Sequence, residues 1–227
     1  DEFYTAFRQV KEYLAGSRPT AVNLVAALNR MEKVVLENKR TGDGIMTDCA
    51  KVIELLDKIG DKIIEEKEFL TELDKPIGDC DHGINMARGF GEVKKKLPGM
   101  ADSDLGTIFK TTGMTLVSTV GGSAGPLYGT AFMKMGMALA GKKEMSFDDF
   151  LKAFEMGVEG VKQRGKSDKG EKTMLDAMIP ALDAMKAAAA EGKDVKTAWK
   201  EGTEAARAGV EYTKTIIATK GRASYVG

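Results

Sequence analysis

The chain has 227 residues, of which 43% are hydrophobic and 30% charged, as expected for a globular protein with one sizeable core. Lysine plus arginine and aspartate plus glutamate both number 34, so no net charge attracts nucleic acid or a membrane surface. No apolar run approaches the roughly 18 residues of a membrane span, and no signal segment opens the sequence. Two cysteines are too few for a disulfide framework, so we expect a cytoplasmic protein.

The beginning of the chain predicts two helices ahead of the main domain. Residues 3–14 carry apolar side chains at helical spacing, and Pro19 falls in the first turn of a second amphipathic helix over residues 20–38. Residues 39–44 contain two glycines and no apolar side chain, which predicts a junction. Met46 follows this junction, and we interpret it as the original first residue of the second of two joined segments.

Residues 45–227 predict an all-α domain, and residues 1–44 a two-helix appendage with its junction. Few segments show the alternation of a strand. Helical patterns cover residues 47–73, 84–96, 104–120, 127–140, 146–164, 171–191 and 194–220. The pattern over residues 104–120 is apolar almost all round, which predicts a central helix. We expect an up-down arrangement of about seven to eight helices.

An acidic loop lies between two of these helices. Asp74, Asp79 and Asp81 have the spacing D-x4-D-x-D on a turn that contains proline and glycine. The ligands are hard oxygens without a thiolate cluster or a second histidine, so Mg²⁺ or Ca²⁺ fits better than Zn²⁺. The alternative is an aspartate-rich turn whose side chains only cap helices. His82 is the sole histidine, and its position directly after the carboxylates favours a role at the same site.

A glycine-rich loop, residues 121–125, precedes a helix that has Pro126 in its first turn. Backbone N–H groups of such a loop, together with a helix N-terminus, can bind phosphate. The alternative is a close-packed turn between helices. In an up-down bundle, loops after alternate helices meet at one rim, so we expect the acidic and glycine-rich loops to lie beside Arg164, Gly165 and Arg222.

Four motifs in order carry a family resemblance. They are I-G-D-x-D-H-G-x-N-M-x-R-G-F over residues 77–90, the glycine-rich loop, G-E-K-T-M-L-D over residues 170–176, and K-G-R-A-S-Y over residues 220–225. The set resembles the nucleotide-binding L subunit of dihydroxyacetone kinase, of the kind that works with the sugar phosphotransferase system. The resemblance covers the chain from about Met46 and implies an antiparallel helical barrel with the nucleotide at one end.

The resemblance also implies the ligands and their contacts. Two Mg²⁺ ions bridged by Asp74, Asp79 and Asp81 would neutralise the phosphates of ADP. With Gly122 of the glycine-rich loop included, the predicted nucleotide-binding residues are His82, Gly83, Ile84, Asn85, Gly122, Ser123, Ala124, Gly165, Met174 and Arg222. No catalytic nucleophile is expected on this chain, because the attacking hydroxyl belongs to the substrate.

The implied activity is a phosphoryl relay. ADP stays bound, receives phosphate from a phosphohistidine carrier, the M subunit, and delivers it to dihydroxyacetone on a separate K subunit. The D-H-G form of the acidic loop, Asp81 to Gly83, favours this branch over ATP-dependent single-chain kinases. Two alternatives stay open, namely an ATP-exchanging kinase domain and a catalytically inactive helical scaffold built from two families.

Three departures accompany the resemblance. Cys80 stands where the family has a small residue, and Ser123-Ala124 reverses an order often seen as Ala-Ser. Family members continue past G-R-A-S-Y-x-G into a D-P-G turn and a final helix, so we expect a domain that lacks that helix.

Residues 8–38 resemble instead a fragment of methylthioribose-1-phosphate isomerase, through S-R-P-T-A-V-N-L over residues 17–24 and A-L-N-R-M over residues 27–31. That resemblance implies that Arg18 corresponds to a substrate-phosphate ligand. The catalytic regions of the isomerase are missing, so no isomerase activity is expected and the chain has the composition of a fusion or chimera.

Overall fold

A computed structural model describes residues 46–76 and 78–225 of the chain. The predicted appendage over residues 1–44 lies outside these residues and stays a prediction. In chain order the elements are β1 Thr47–Asp48, α1 Cys49–Glu65, α2 Lys67–Asp74, α3 His82–Lys96, a 3₁₀ turn Leu97–Met100, α4 Leu105–Thr119, α5 Ala124–Ala138, β2 Glu144–Met145, α6 Phe147–Gly165, α7 Leu175–Ala190, α8 Val195–Thr213 and a second 3₁₀ turn Arg222–Tyr225.

The predicted all-α class is confirmed, with eight helices and one small sheet in the described part of the chain. Sequential helices pack on one another: α1 on α3, α3 on α4, and so on to α8 on α7. Their apolar faces form one continuous core, to which every helix except α2 contributes. No helix in this part of the chain combines the length and the hydropathy that crossing a bilayer requires.

Opposite ends of the bundle have different structures. At one end β1 pairs antiparallel with β2, with Thr47 opposite Met145, and the Leu105 amide donates to the Lys142 carbonyl over 2.8 Å. The loops that follow α2, α4, α6 and α8 lie at the other end. Because neighbouring helices alternate in direction, this arrangement brings the predicted site loops to one rim.

The pattern over residues 47–73, predicted as one helix, is two helices separated at Glu66, and this prediction was wrong. Helix α1 packs its apolar stripe into the main core. Leu70 and Leu73 of α2 instead form a separate small cluster with Phe69, and α2 packs mainly on α3. Both helices pack on α3, and the break at Glu66 separates the stripe that joins the main core from the cluster that lies outside it.

Helix α4 is also less central than its composition predicts. Met114 and Val117 are 55% and 43% exposed, so one side of this helix faces outward. Its close partner is α5, because a Cβ atom built on Gly113 would lie 2.6 Å from the Gly129 carbonyl oxygen. Glycines on both helices therefore set the α4–α5 distance, and the exposed apolar residues lie beside that contact.

Two further boundaries differ from the prediction. Helix α7 begins at Leu175 rather than near residue 171, because the Asp176 carboxylate accepts the amides of Gly170 and Thr173 over 2.5 and 2.8 Å and holds the preceding residues in a loop. Helix α8 ends at Thr213 rather than at residue 220. Periodicity does not reveal either boundary, since both depend on contacts between loops.

We predict that Gly113→Ala destabilises the protein by about 1–3 kcal/mol, because the added methyl group cannot fit between α4 and α5. Gly91→Ala is the matched control, since no heavy atom lies within 4 Å of a Cβ atom built on this helical glycine. It should be neutral or stabilise by about 0.5–1 kcal/mol through the lower backbone entropy cost of alanine. Urea unfolding of the two variants measures both effects, and equal changes would contradict the proposed contact.

Candidate functional site

The three predicted aspartates lie together. Asp74 is the last residue of α2, and Asp79 and Asp81 lie in the loop before α3. One carboxylate oxygen from each lies within 4.8 Å of the other two. The Asp81 amide donates to Asp74 Oδ2 over 3.2 Å, and the Gly78 amide donates to the Asp74 carbonyl over 2.6 Å. The backbone of the loop is thus folded around the Asp74 side chain.

Gly78 leaves room for the Asp74 carboxylate. A Cβ atom built on it would lie 2.0 Å from Asp74 Oδ1, so a larger residue would displace this carboxylate from its position. Cys80, two residues later, is exposed and has a φ of 59°, a left-handed conformation that small residues adopt more readily. The Asp74 side chain therefore favours glycine at position 78, and the backbone conformation disfavours a bulky side chain at position 80.

The electrostatic surroundings of the carboxylates differ. Arg222 Nη1 lies 2.7 Å from Asp79 Oδ2, and this hydrogen bond holds the pKa of Asp79 below its ordinary value. Burial raises the pKa of Asp81, opposed by a hydrogen bond from the Asn85 side chain, and the charges of Asp79 and Asp74 raise it further. Charge repulsion at Asp81 therefore makes a bound cation favourable at this place.

The donor set fits Mg²⁺. Its bonds to oxygen are about 2.0–2.1 Å long, so two ligands on opposite sides of one ion are about 4.2 Å apart. The observed limit of 4.8 Å is within a small side-chain movement of that distance. The three carboxylates offer only oxygen ligands, which a hard cation prefers. Asp79 also forms an ion pair with Arg222, so its charge would be divided between the cation and this arginine.

An open cavity of about 410 Å³ surrounds the carboxylates, and we call it the acidic cavity. Nine of the predicted site residues line it, and they come from segments that lie far apart in the sequence. They are Asp74, Asp79, Asp81, His82, Asn85, Gly122, Ser123, Ala124 and Arg222. The expected meeting of the acidic loop, the glycine-rich loop and the C-terminal Arg222 is thus what the structure shows.

A second cavity of about 330 Å³ adjoins the first, with Ser123 and Gly221 lining both. We call it the adjoining cavity. Predicted residues Gly165 and Met174 line it, beside the apolar side chains of Pro126, Leu127, Val161 and Leu175. Polar side chains at its edge come from Arg164, Ser167, Thr173 and Lys220. A charged cavity and a largely apolar cavity therefore lie side by side, with Ser123 and Gly221 between them.

Two predicted residues, Gly83 and Ile84, line neither cavity. Gly83 is buried against α2, where an added Cβ atom would lie 2.0 Å from the Lys67 carbonyl oxygen. Its place in the structure is therefore a close contact between helices. Ile84 is 49% exposed on the first turn of α3. Their assignment to nucleotide binding stays a prediction, and the geometry gives it no support from a lining position.

Two helix N-termini border the acidic cavity. Helix α3 begins at His82, and α5 begins at Ala124 directly after the glycine-rich loop. Gly122 has a φ of +65°, which allows the sharp turn between α4 and α5. Unsatisfied N–H groups and the positive ends of both helix dipoles favour an anion here. The cavity can thus take a cation at the carboxylates and an anion at the helix ends.

Sequence reasoning missed several residues that shape the site. Arg164 and Lys220 were singled out only as neighbours of predicted residues. Asp176 and Glu171 hold the loop beside the adjoining cavity, and Glu171 also accepts the Thr219 hydroxyl over 3.0 Å. Their acidic side chains stand in the quoted motif, but nothing in the sequence indicates that their partners are backbone amides and a distant threonine.

Comparison with known proteins agrees with this geometry. Residues 76–227 match the family described as the DAK2 domain. The chain belongs to the DAK2 domain family. The predicted recognition of a dihydroxyacetone kinase subunit is confirmed at the level of this family.

Relatives of this DAK2 chain carry consistent names. It is 41% identical over 177 residues to the ADP-binding subunit DhaL of the PEP-dependent dihydroxyacetone kinase of Escherichia coli, covering 78% of the chain and 84% of the relative. It is 44% identical over 172 residues to the corresponding subunit of kinase 1 of Listeria innocua, covering 76% and 81%. The PTS-dependent subunit of Lactococcus lactis is 42% identical, with 77% and 83% covered.

Solved structures agree on the fold. The dihydroxyacetone kinase of C. freundii in complex with AMP-PNP and Mg²⁺ superposes with a TM-score of 0.55 at 22% identity, over 79% of this DAK2 chain and 35% of that one. Its native form gives a TM-score of 0.53 at 21% identity, over 78% and 36%. The chain thus has the fold of about one third of that larger kinase.

We predict that Glu171→Gln lowers the free energy of unfolding at neutral pH. The free energy of unfolding of this variant should also fall less than that of the wild type as the pH is lowered. Hydrogen bonds, the first from the Asp168 amide, lower the pKa of Glu171 from 4.5 to about 2. A lowered pKa stabilises the folded state fully above about pH 4.5, and this contribution is lost as the pH falls towards 2. Urea unfolding between pH 7 and pH 3 measures the difference. Glu68→Gln, at an exposed position on α2, is the control and should leave the profile unchanged.

Proposed function

We propose that this chain is the ADP-binding, phosphoryl-transferring subunit of a dihydroxyacetone kinase. One observation carries the proposal, namely that the acidic and adjoining cavities share Ser123 and Gly221 as lining residues. A nucleoside diphosphate has a polyanionic end and a flat, largely apolar end. The two neighbouring cavities offer matching surroundings for these two ends.

The phosphate end fits the acidic cavity. Asp74, Asp79 and Asp81 would hold Mg²⁺, and the ion would supply neutralisation and fixed positions for the phosphate oxygens. Backbone N–H groups at the start of α5 and the Arg222 guanidinium would supply further positive charge. For phosphoryl transfer, positioning and charge neutralisation are most of what a protein contributes.

The base end fits the adjoining cavity. Met174 is buried in its wall, and a thioether packs well against the face of an aromatic ring. Leu127 and Pro126 supply further apolar surface, while Arg164 and Thr173 provide hydrogen-bond donors at the edge. The adjoining cavity would thus shield the base from water, with the phosphates placed in the acidic cavity.

The relatives' names support a subunit that binds ADP within a PEP- or PTS-dependent dihydroxyacetone kinase. In the proposed cycle a phosphoryl group passes from a phosphohistidine carrier, the M subunit, to bound ADP and then to dihydroxyacetone on a K subunit. The residues of this chain hold the phosphates and metal in place, and the attacking hydroxyl comes from the partner's substrate. We propose two Mg²⁺ ions, a cytoplasmic location, and no partnership with nucleic acid or membrane.

A second candidate is an ATP-exchanging kinase domain. It is favoured by the fold shared with the C. freundii kinase, which was solved with AMP-PNP and Mg²⁺. The two candidates differ in how long ADP stays bound. Protein that retains ADP through gel filtration supports the coenzyme role, whereas rapid loss of ADP and uptake of ATP supports exchange.

We predict that Asp79→Asn and Asp81→Asn each abolish the stabilisation by ADP and Mg²⁺. Ligand at 100 times Kd stabilises a folded protein by about 2.7 kcal/mol, which thermal melting detects as a rise in Tm. Removing one carboxylate charge weakens the cation site so far that the same ligand concentration no longer produces this rise. Asp102→Asn, an exposed position outside both cavities, is the control and should keep the wild-type rise.

An absence of any rise in the wild-type protein, with ADP and Mg²⁺ both present, would contradict the proposal and favour a helical scaffold without nucleotide. Equal rises in the wild type and in both aspartate variants would contradict the assignment of the carboxylates. Calorimetric titration of ADP with and without Mg²⁺ measures the same coupling directly.

A further inference from the structure

Arg88 lies on α3 one turn beyond Asn85, outside both cavities, with much of its side chain exposed. Its guanidinium makes two hydrogen bonds. Nη2 donates to Asn85 Oδ1 over 2.6 Å, and Nε donates to the Thr119 carbonyl oxygen over 2.9 Å. The same planar group thus joins a side chain of the acidic cavity to the end of α4.

The first bond fixes the orientation of Asn85. This side chain is 7% exposed and lines the acidic cavity, and its amide has an acceptor and a donor end. Because Arg88 binds the oxygen, the NH₂ group is directed away from Arg88. Hydrogen bonding by the Asn85 side chain acts to lower the pKa of Asp81, against the burial that raises it. A flipped amide would place its oxygen against Asp81, where two acceptors repel.

The second bond fixes the entry to the glycine-rich loop. Thr119 is the last residue of α4, and the carbonyl groups of a helix's final turn lack partners within the helix. A cation is also favoured there by the helix dipole. Gly121 follows two residues later, and a Cβ atom built on it would lie 2.9 Å from Asn85 Nδ2. The loop and the asparagine are therefore packed directly on each other.

We propose that Arg88 is a positioning residue for the Mg²⁺ and ADP site, acting through Asn85 on Asp81 and through Thr119 on the glycine-rich loop. This inference rests on the proposed function. Arg88 itself touches neither the carboxylates nor either cavity. Its role requires the fork of two donors in one plane, which a lysine ammonium on a flexible stem does not reproduce.

Calorimetric titration of ADP, at fixed Mg²⁺ and without Mg²⁺, tests this role in wild type, Arg88→Met, Arg88→Lys and a control. Loss of a group that orients a metal ligand typically weakens metal affinity about 10–100-fold. We expect Mg²⁺-dependent ADP binding to weaken by that factor in Arg88→Met, and nearly as much in Arg88→Lys. Lys95→Met, an exposed position on the same helix, should bind as the wild type does.

The ligand-free Tm separates positioning from folding. Because Arg88 is exposed, both substitutions should change this Tm little, while a purely structural role predicts a lower Tm with unchanged affinity for ADP. Should Arg88→Met unfold, Arg88→Lys retains the charge and the stem, and its affinity decides between the two roles.

A double-mutant cycle with Asn85→Ala tests the route through Asn85. If Arg88 acts through this residue, Arg88→Met should weaken ADP binding much less in the Asn85→Ala background than in the wild type. Equal, additive losses would overturn the inference, as would wild-type affinity in Arg88→Met. Failure of the proposed function looks different, since the wild type itself would then show no Mg²⁺-dependent ADP binding.

Discussion

Mutual repulsion of three carboxylates is the constraint around which this end of the molecule is built. Their oxygens lie within 4.8 Å of one another, a spacing that is unfavourable without positive charge or hydrogen-bond donors nearby. The donors come from separate parts of the chain: the Asp81 amide at Asp74, Asn85 at Asp81, and Arg222 at Asp79. Each donor also fixes the position of the segment that carries it. The groups that offset the repulsion between the carboxylates therefore also set the shape of the cavity.

The helical bundle supplies the rigid frame for these loops. Close contact between α4 and α5 is possible because glycines face each other across the pair, and the same contact fixes the turn that contains Gly122. Helix α2 is the exception, since its apolar residues form their own cluster outside the main core. Helix α2 therefore places Asp74 beside the start of α3, and the contact of Gly83 with α2 sets the distance between the two helices.

Polar contacts between loops, rather than apolar packing, complete the rim. Asp176 holds the backbone before α7, and Glu171 in that loop binds Thr219 and Lys220. The segment after Lys220 carries Arg222 to Asp79. The loop before α7 is thus linked to the acidic cavity by polar contacts to Thr219 and Lys220 and by the short chain segment from Lys220 to Arg222. A ligand that fills both cavities would contact residues from all four loops of this DAK2 rim.

Local sequence patterns were sufficient to predict the all-α class, most helix positions and nine of the residues that line the acidic cavity, because 3.6-residue periodicity and short glycine and aspartate motifs are local properties. They did not determine the break at Glu66, the exposed side of α4 or the start of α7, since each depends on a packing partner distant in the chain. They also did not distinguish Gly83, which serves a helix contact, from its neighbours at the cavity. Only the tertiary structure placed Arg88 between Asn85 and Thr119, because a hydrogen bond between residues 31 positions apart leaves no periodic pattern in the sequence.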